Sequence, residues 1–212
     1  MPQTSESPSV TTVVVGQRLP WPDDPWSADG QGPFDPGAIF HFGERQDCTI
    51  RKISTLGVTI RSGLTPALGE RVSVELETGQ RPSGKVAWTS RDEVGVRFDD
   101  NVDMLALLNR KLVSQLPDRR TMPRVEVRCP VHIKAGETFR MATLRNISAK
   151  GLQIEGDDLP VVDAHVMPFI DGLNIPSGKI VWRRDKLAGI EMADEISWTA
   201  IIPWVRGLIR HG

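Results

Sequence analysis

Three arginines fall within six residues in DRRTMPRVEV: Arg119, Arg120 and Arg124, with Pro123 stiffening the entry into the stretch that follows. About 22 residues beyond Arg124, RMATLRNI runs into NISAKG, which places Asn146, Ser148 and Gly151 in a polar turn. A guanidinium is a planar fork of donors: it pairs with phosphate oxygens or with the O6/N7 edge of guanine, and its face stacks on a purine. Asparagine and serine supply shorter polar contacts, and glycine lets backbone approach a ligand. This set of residue types suits an anionic, guanine-bearing molecule.

For the arginines to meet the turn, the chain between them must fold back on itself. A pair of strands in an antiparallel barrel brings such distant stretches to one rim. The sequence from the arginines onward alternates as strands do, in VEVRCPVHI, RMATLRNI, GLQIEG, HVMPFI, KIVWRR and AGIEM, separated by Gly, Pro and Asp turns. About six short strands at spacings near ten residues predict a small antiparallel barrel. SWTAIIPWVRGLIRH, at 197–211, then predicts a helix with a kink at Pro203. Trp198 and Trp204, six positions apart, fall on different faces of it, so that one anchors the helix and the other is left for a partner.

The first half repeats this plan. RKISTLGVTI begins at Arg51 and RNISAKGLQI at Arg145, 94 positions apart. At that constant offset, about 15 of about 52 positions are identical from Thr49 to Asp100, where chance would give about three. Ile53, Ser54 and Gly57 match Ile147, Ser148 and Gly151; PSGKVAW at 82–88 matches PSGKIVW at 176–182; Gly95 matches Gly189. Two units of this length are a duplicated domain rather than a solenoid.

The strands of the first copy are CTIRKI, GVTIRS, RVSVELE, KVAWTS and VGVRF, led either by AIFHF at 38–42 or by VTTVVV at 10–15. A helix follows at 104–116, with Leu105, Leu108, Leu112 and Leu116 as its apolar stripe. The paired glycines Gly84/Gly178 and Gly95/Gly189 are structural, at turn or strand-entry positions where a side chain would interfere. Trp88 and Trp182 are read as barrel-face or core residues. The predicted fold is mainly β: two tandem six-stranded antiparallel barrels, each followed by an α-helix. Residues 1–37 form a largely irregular, proline-rich arm, 38–116 the first barrel and helix, and 117–212 the second. The strand-like VTTVVV, together with Trp21 and Trp26, predicts that the arm docks on a domain.

RxxxR followed by (D/N)xSxxG at the front of a six-stranded barrel resembles the PilZ domain family, receptors for the bacterial second messenger cyclic di-GMP. Arg120 and Arg124 match the first motif, Asn146, Ser148 and Gly151 the second, and KIVW and AGIE look like the family's closing strands. The resemblance covers about 117 to 196. It implies an arginine stretch that closes over the nucleotide while the second motif holds a guanine from the barrel side. Arg119 adds a third charge, and one or two ligand molecules are both compatible with such an arm. The first copy departs from both motifs. Lys52 stands where Asn146 does, a cation facing the donors of guanine, and Trp26 and Gly30 stand where the arginines do. It is expected to be a degenerate PilZ-like barrel that binds no cyclic di-GMP.

Composition bounds the alternatives. At 212 residues, 39% hydrophobic and net charge -1, the chain is of the soluble globular class and not one that coats nucleic acid. A local excess of roughly +7 from Arg110 to Lys150 nevertheless predicts an anionic partner there. Cys48 and Cys129 are isolated thiols on strands, and His41, His132, His165 and His211 have no ligand spacing, so neither a metal site nor a cofactor is expected. No nucleophile with a base and no carboxylate pair can be placed, which points away from an enzyme. No apolar run is long enough to cross a membrane and MPQTSESPSV is not a secretory signal, so a cytoplasmic location is expected.

Three functions remain in order: a cyclic di-GMP receptor relaying to an effector protein, with monomer and homodimer both open; a PilZ-type adaptor that binds a protein and no nucleotide; and a barrel for single-stranded nucleic acid. The last would need aromatics among the basic residues, and 110–150 holds only Phe139.

Overall fold

A computed structural model of the chain describes residues 11–21, 34–113 and 124–211. The chain divides into two units, Met1–Pro123 and Arg124–Gly212.

In the first unit the strands are β1 (Thr12–Val14), β2 (Asp35–His41), β3 (Glu44–Ser54), β4 (Gly57–Ser62), β5 (Arg71–Glu75), β6 (Ser83–Ser90) and β7 (Glu93–Phe98). Antiparallel pairing runs β2–β3–β4–β7–β6–β5 and returns from β5 to β2, which closes a six-stranded barrel. Alternation drives it: Val72 and Val74 on β5, and Val94, Val96 and Phe98 on β7, point into the core. The β2–β3 hairpin turns through Phe42 (φ 48°) and Gly43 (φ 86°), two consecutive left-handed residues whose twist suits the flanking strands. The expected leading strand is thus β2, longer than AIFHF. VTTVVV does not replace it; its Thr12–Val14 adds β1, which pairs in parallel with β3.

Helix α1 (Met104–Val113) starts at Asp103, whose Oδ1 accepts the amides of Leu105 (2.9 Å) and Ala106 (3.1 Å). It buries Met104, Leu107 and Leu108. Leu105, placed in the apolar stripe by its spacing, is only half-buried. The i, i+3, i+4 set anchored on Met104 wins because Met104 is the first residue to follow Val102 into the core.

The second unit comprises β8 (Arg124–Ala135), β9 (Thr138–Ile147), β10 (Gly151–Glu155), β11 (His165–Phe169), β12 (Gly178–Arg184), β13 (Leu187–Met192) and helix α2 (Trp198–His211). Its antiparallel pairings follow the order β8–β9–β10–β13–β12–β11, and β11 also pairs with β8. Leu144, Ile147, Ile154, Ile180 and Ile190 fill the interior. Ile147→Ala should cost about 2 to 5 kcal/mol, read as a lower urea midpoint at unchanged slope.

α2 runs through Pro203 without interruption. The expectation that one of its tryptophans is left for a partner is overturned. Trp198 and Trp204 are both buried, and Trp204 Nε1 donates to the carbonyl of Asp171 at 3.0 Å, because the turn after β11 rises to cover that side of the helix.

Both cysteines lie on strands. Burial, with a smaller contribution from the Asp47 carboxylate, pushes the Cys48 thiol up to about 12, and burial also raises Cys129. Cys48 should therefore resist iodoacetamide at pH 8 in the native protein and alkylate only on unfolding, which mass spectrometry would read directly.

Candidate functional site

Arg124 opens β8, and Ser148 follows the end of β9. The pair Val125↔Ile147 lies immediately inside both, so Arg124 and Ser148 stand at the same end of one strand pair. Val125, Val127 and Ile147 are buried, which turns Arg124, Glu126 and Asn146 to the outer face.

A single row runs across the sheet. Glu126 lies opposite Asn146, Asn146 opposite Gln153 on β10, Gln153 opposite Gly189 on β13, and Gly189 opposite Trp182 on β12. Asn146 Nδ2 donates to Gln153 Oε1. A side chain at Gly189 would overlap the indole of Trp182, so this glycine serves as the bed on which the tryptophan lies. The same holds for Gly95 beneath Trp88 in the first unit, so both sit inside strands rather than at turns.

The Ser148–Gly151 turn is held internally. Ser148 donates its amide (2.9 Å) and its hydroxyl (3.3 Å) to the carbonyl of Gly151. A Cβ on Gly151 would come within 2.9 Å of the carbonyl oxygen of Ile190, so sheet packing demands glycine here with or without a ligand.

The charge at this end is uneven. Arg145 is neutralised by Glu155 at 2.6 Å. Arg124 is half-buried, burial pushes its pKa down, and it makes no ion pair or hydrogen bond among the described residues. A desolvated guanidinium without a counter-charge is a favourable place for an anion. The structure thus brings Arg124, Asn146, Ser148 and Gly151 to one end of β8–β10. Arg119 and Arg120 lie outside the described residues.

The corresponding row of the first unit reads Lys52, Thr59, Gly95 and Trp88. Here the chain's own N-terminal segment lies over it, a feature that the sequence reading anticipated only as docking somewhere. Thr12 pairs with Lys52, and Thr11 Oγ1 donates to the carbonyl of Ile50 and accepts the amide of Asp35, both at 2.7 Å. Thr59 Oγ1 donates to the carbonyl of Pro20 at 2.6 Å and is buried. Trp21 meets Trp88 edge-on, with ring centroids 6.1 Å apart. Trp21 and the strand-like VTTVVV were the signals for this strap; its register on Thr59 runs through a backbone carbonyl and left no side-chain pattern.

No group of three His, Cys, Asp or Glu among the described residues could hold a metal ion, and no helix among them is long and apolar enough to cross a membrane.

The PilZ domain family model matches residues 36–115. The match falls on the barrel of the first unit, whereas RxxxR and NxSxxG lie beyond it. Among solved structures, the chain is similar to the PlzA protein of Borreliella burgdorferi in complex with c-di-GMP (11% identity, TM-score 0.33, covering 81% of this chain and 86% of that one). It is also similar to the inhibitor of motility MotI/DgrA of Bacillus subtilis (12%, 0.30, 84% and 95%) and to YcgR of Escherichia coli in complex with c-di-GMP (10%, 0.27, 84% and 83%). No curated protein matches the chain.

Proposed function

We propose that this protein is a non-enzymatic cyclic di-GMP receptor that takes the nucleotide at Arg120, Arg124 and the Asn146–Gly151 turn of its second half. The observation that carries this reading is Arg124: a desolvated guanidinium, without a partner among the described residues, at the strand end where Asn146 and Ser148 also stand. Arg119 and Arg120 precede it in sequence and supply the charge that closes over the phosphates.

The reading takes the second half as another PilZ-type barrel. Support comes from the pairings themselves. The register breaks at Ile50/Lys52 and Val86/Trp88 recur beside Asn146 and at Ile180/Trp182, at the offset of the sequence repeat. In the first barrel Lys52 and the strap of Pro20 and Trp21 leave no room for the nucleotide, so that barrel serves as scaffold. Binding orders the arginine stretch, and the altered relation between the halves or to an effector protein carries the signal onward.

Equilibrium dialysis with cyclic di-GMP at increasing salt tests the proposal. Affinity should be measurable and should fall with ionic strength, with a log–log slope of about two at most, since the ligand carries two phosphates. Absence of saturable binding at low salt would sink the receptor reading and leave the protein-binding adaptor.

A further inference from the structure

We infer that the opposite end of the β8–β9–β11 surface is a docking site for an acidic, apolar segment of a partner protein. Two cross-strand rows define it. Met167, Lys134 and Phe139 face one another on β11, β8 and β9; Phe169, His132 and Met141 form the adjacent row. The four apolar side chains are exposed by 45% (Met167), 60% (Phe139), 44% (Phe169) and 71% (Met141), although Val131, Ile133, Ala142, Val166 and Pro168 on the same three strands turn inward. Phe139 and Phe169 approach to 6.1 Å between centroids across β8, so the patch is continuous. Together the four expose roughly 400 Å², the scale at which an apolar patch marks an interaction site.

The arrangement of charge selects the occupant. Lys134 and His132 lie in the middle column, flanked by apolar side chains on either side, and neither row contains a carboxylate. Lys134 lies over the Phe139 ring at 5.6 Å, which holds its ammonium within the patch rather than at its edge. A second copy of the chain docked about a two-fold axis would set this basic column against itself. A lipid surface requires cations at the perimeter, where they reach the headgroups, whereas here they would be driven toward the acyl layer. A segment with apolar side chains on both sides of an Asp or Glu satisfies the aromatic flanks and the central Lys134 ammonium together. The surface stands whether or not nucleotide binds, since Arg124 and Asn146 lie toward the other ends of β8 and β9.

Selection of a random display library of peptides about twelve residues long on the full-length protein tests the assignment. Enriched sequences should combine Asp or Glu with Leu, Ile, Phe or Trp. Synthetic versions should shift the amides of β8, β9 and β11, bind at least tenfold more weakly to the Phe139→Ser/Met141→Ser variant, and lose affinity for Lys134→Glu. These positions are exposed or half-buried, so both variants should keep the wild-type unfolding temperature. The proposal is overturned by enrichment of uncharged or basic peptides, by no enrichment, or by binding indifferent to both variants. Sedimentation with anionic vesicles, or a dimer in light scattering that Met141→Ser dissolves, would equally replace it.

Discussion

Replacing both Arg120 and Arg124 by alanine should weaken cyclic di-GMP binding by roughly two to four orders of magnitude while leaving thermal unfolding nearly unchanged. Each guanidinium makes charge-assisted contacts worth about 1.5 to 3 kcal/mol, and about 1.4 kcal/mol corresponds to a tenfold change in affinity. The stability side follows from the structure: Arg124 is desolvated by burial and has no partner among the described residues, so its removal breaks no native ion pair there. Calorimetric titration and a melting curve on the same preparation read both effects. Unchanged affinity in the double variant would show that the two arginines take no part in binding.

The second large effect should come from Asn146→Lys, which imports into the second half the residue that the first half carries at the same register. Lys52 lies opposite Thr59 as Asn146 lies opposite Gln153, so the strand pair accommodates lysine. The substitution exchanges a carbonyl acceptor for an ammonium, which meets the N1 and N2 donors of guanine with the wrong polarity. A loss of roughly 100-fold is expected, about 2 to 3 kcal/mol for an unmade hydrogen bond and an opposed charge. Asn146→Asp, which keeps the acceptor, should retain most of the affinity; equal loss in both would mean that the position acts through its contact with Gln153 alone. The reverse change, Lys52→Asn, should create no second site, because Pro20 and Trp21 occupy that face.

The strands were legible because their signal is local. Val94, Val96 and Phe98 alternate within six residues, and the burial of each follows from its parity. Legible too was the strand pair that joins Arg124 to Ser148, since the arginines stand before one strand and the turn after the next. What escaped depends on partners far along the chain. Trp204 is covered by a carbonyl 33 positions earlier, and Thr59 is capped by a carbonyl 39 positions earlier, neither of which any periodicity records. Phe139, Met141, Met167 and Phe169 belong to two separate strands, and only the register of both on β8 makes them one patch. Spacing places Leu105 in the stripe, whereas the joint burial of Met104, Leu107 and Leu108 sets the inward face of the helix.

The repeated Ile-Ser and glycine therefore mark a turn that the sheet itself requires, as Gly151 shows by its approach to the Ile190 carbonyl. The proposed function rests on what the copies do not share: Asn146 against Lys52, and an arginine stretch against a strap. The most direct test is a backbone amide spectrum of labelled full-length protein titrated with cyclic di-GMP. The account predicts that Arg124, Asn146, Ser148 and Gly151 shift with the ligand while Lys52, Ser54 and Gly57 stay in place. Shifts centred on Lys52, Ser54 and Gly57, or none at either turn at saturating nucleotide, would contradict it.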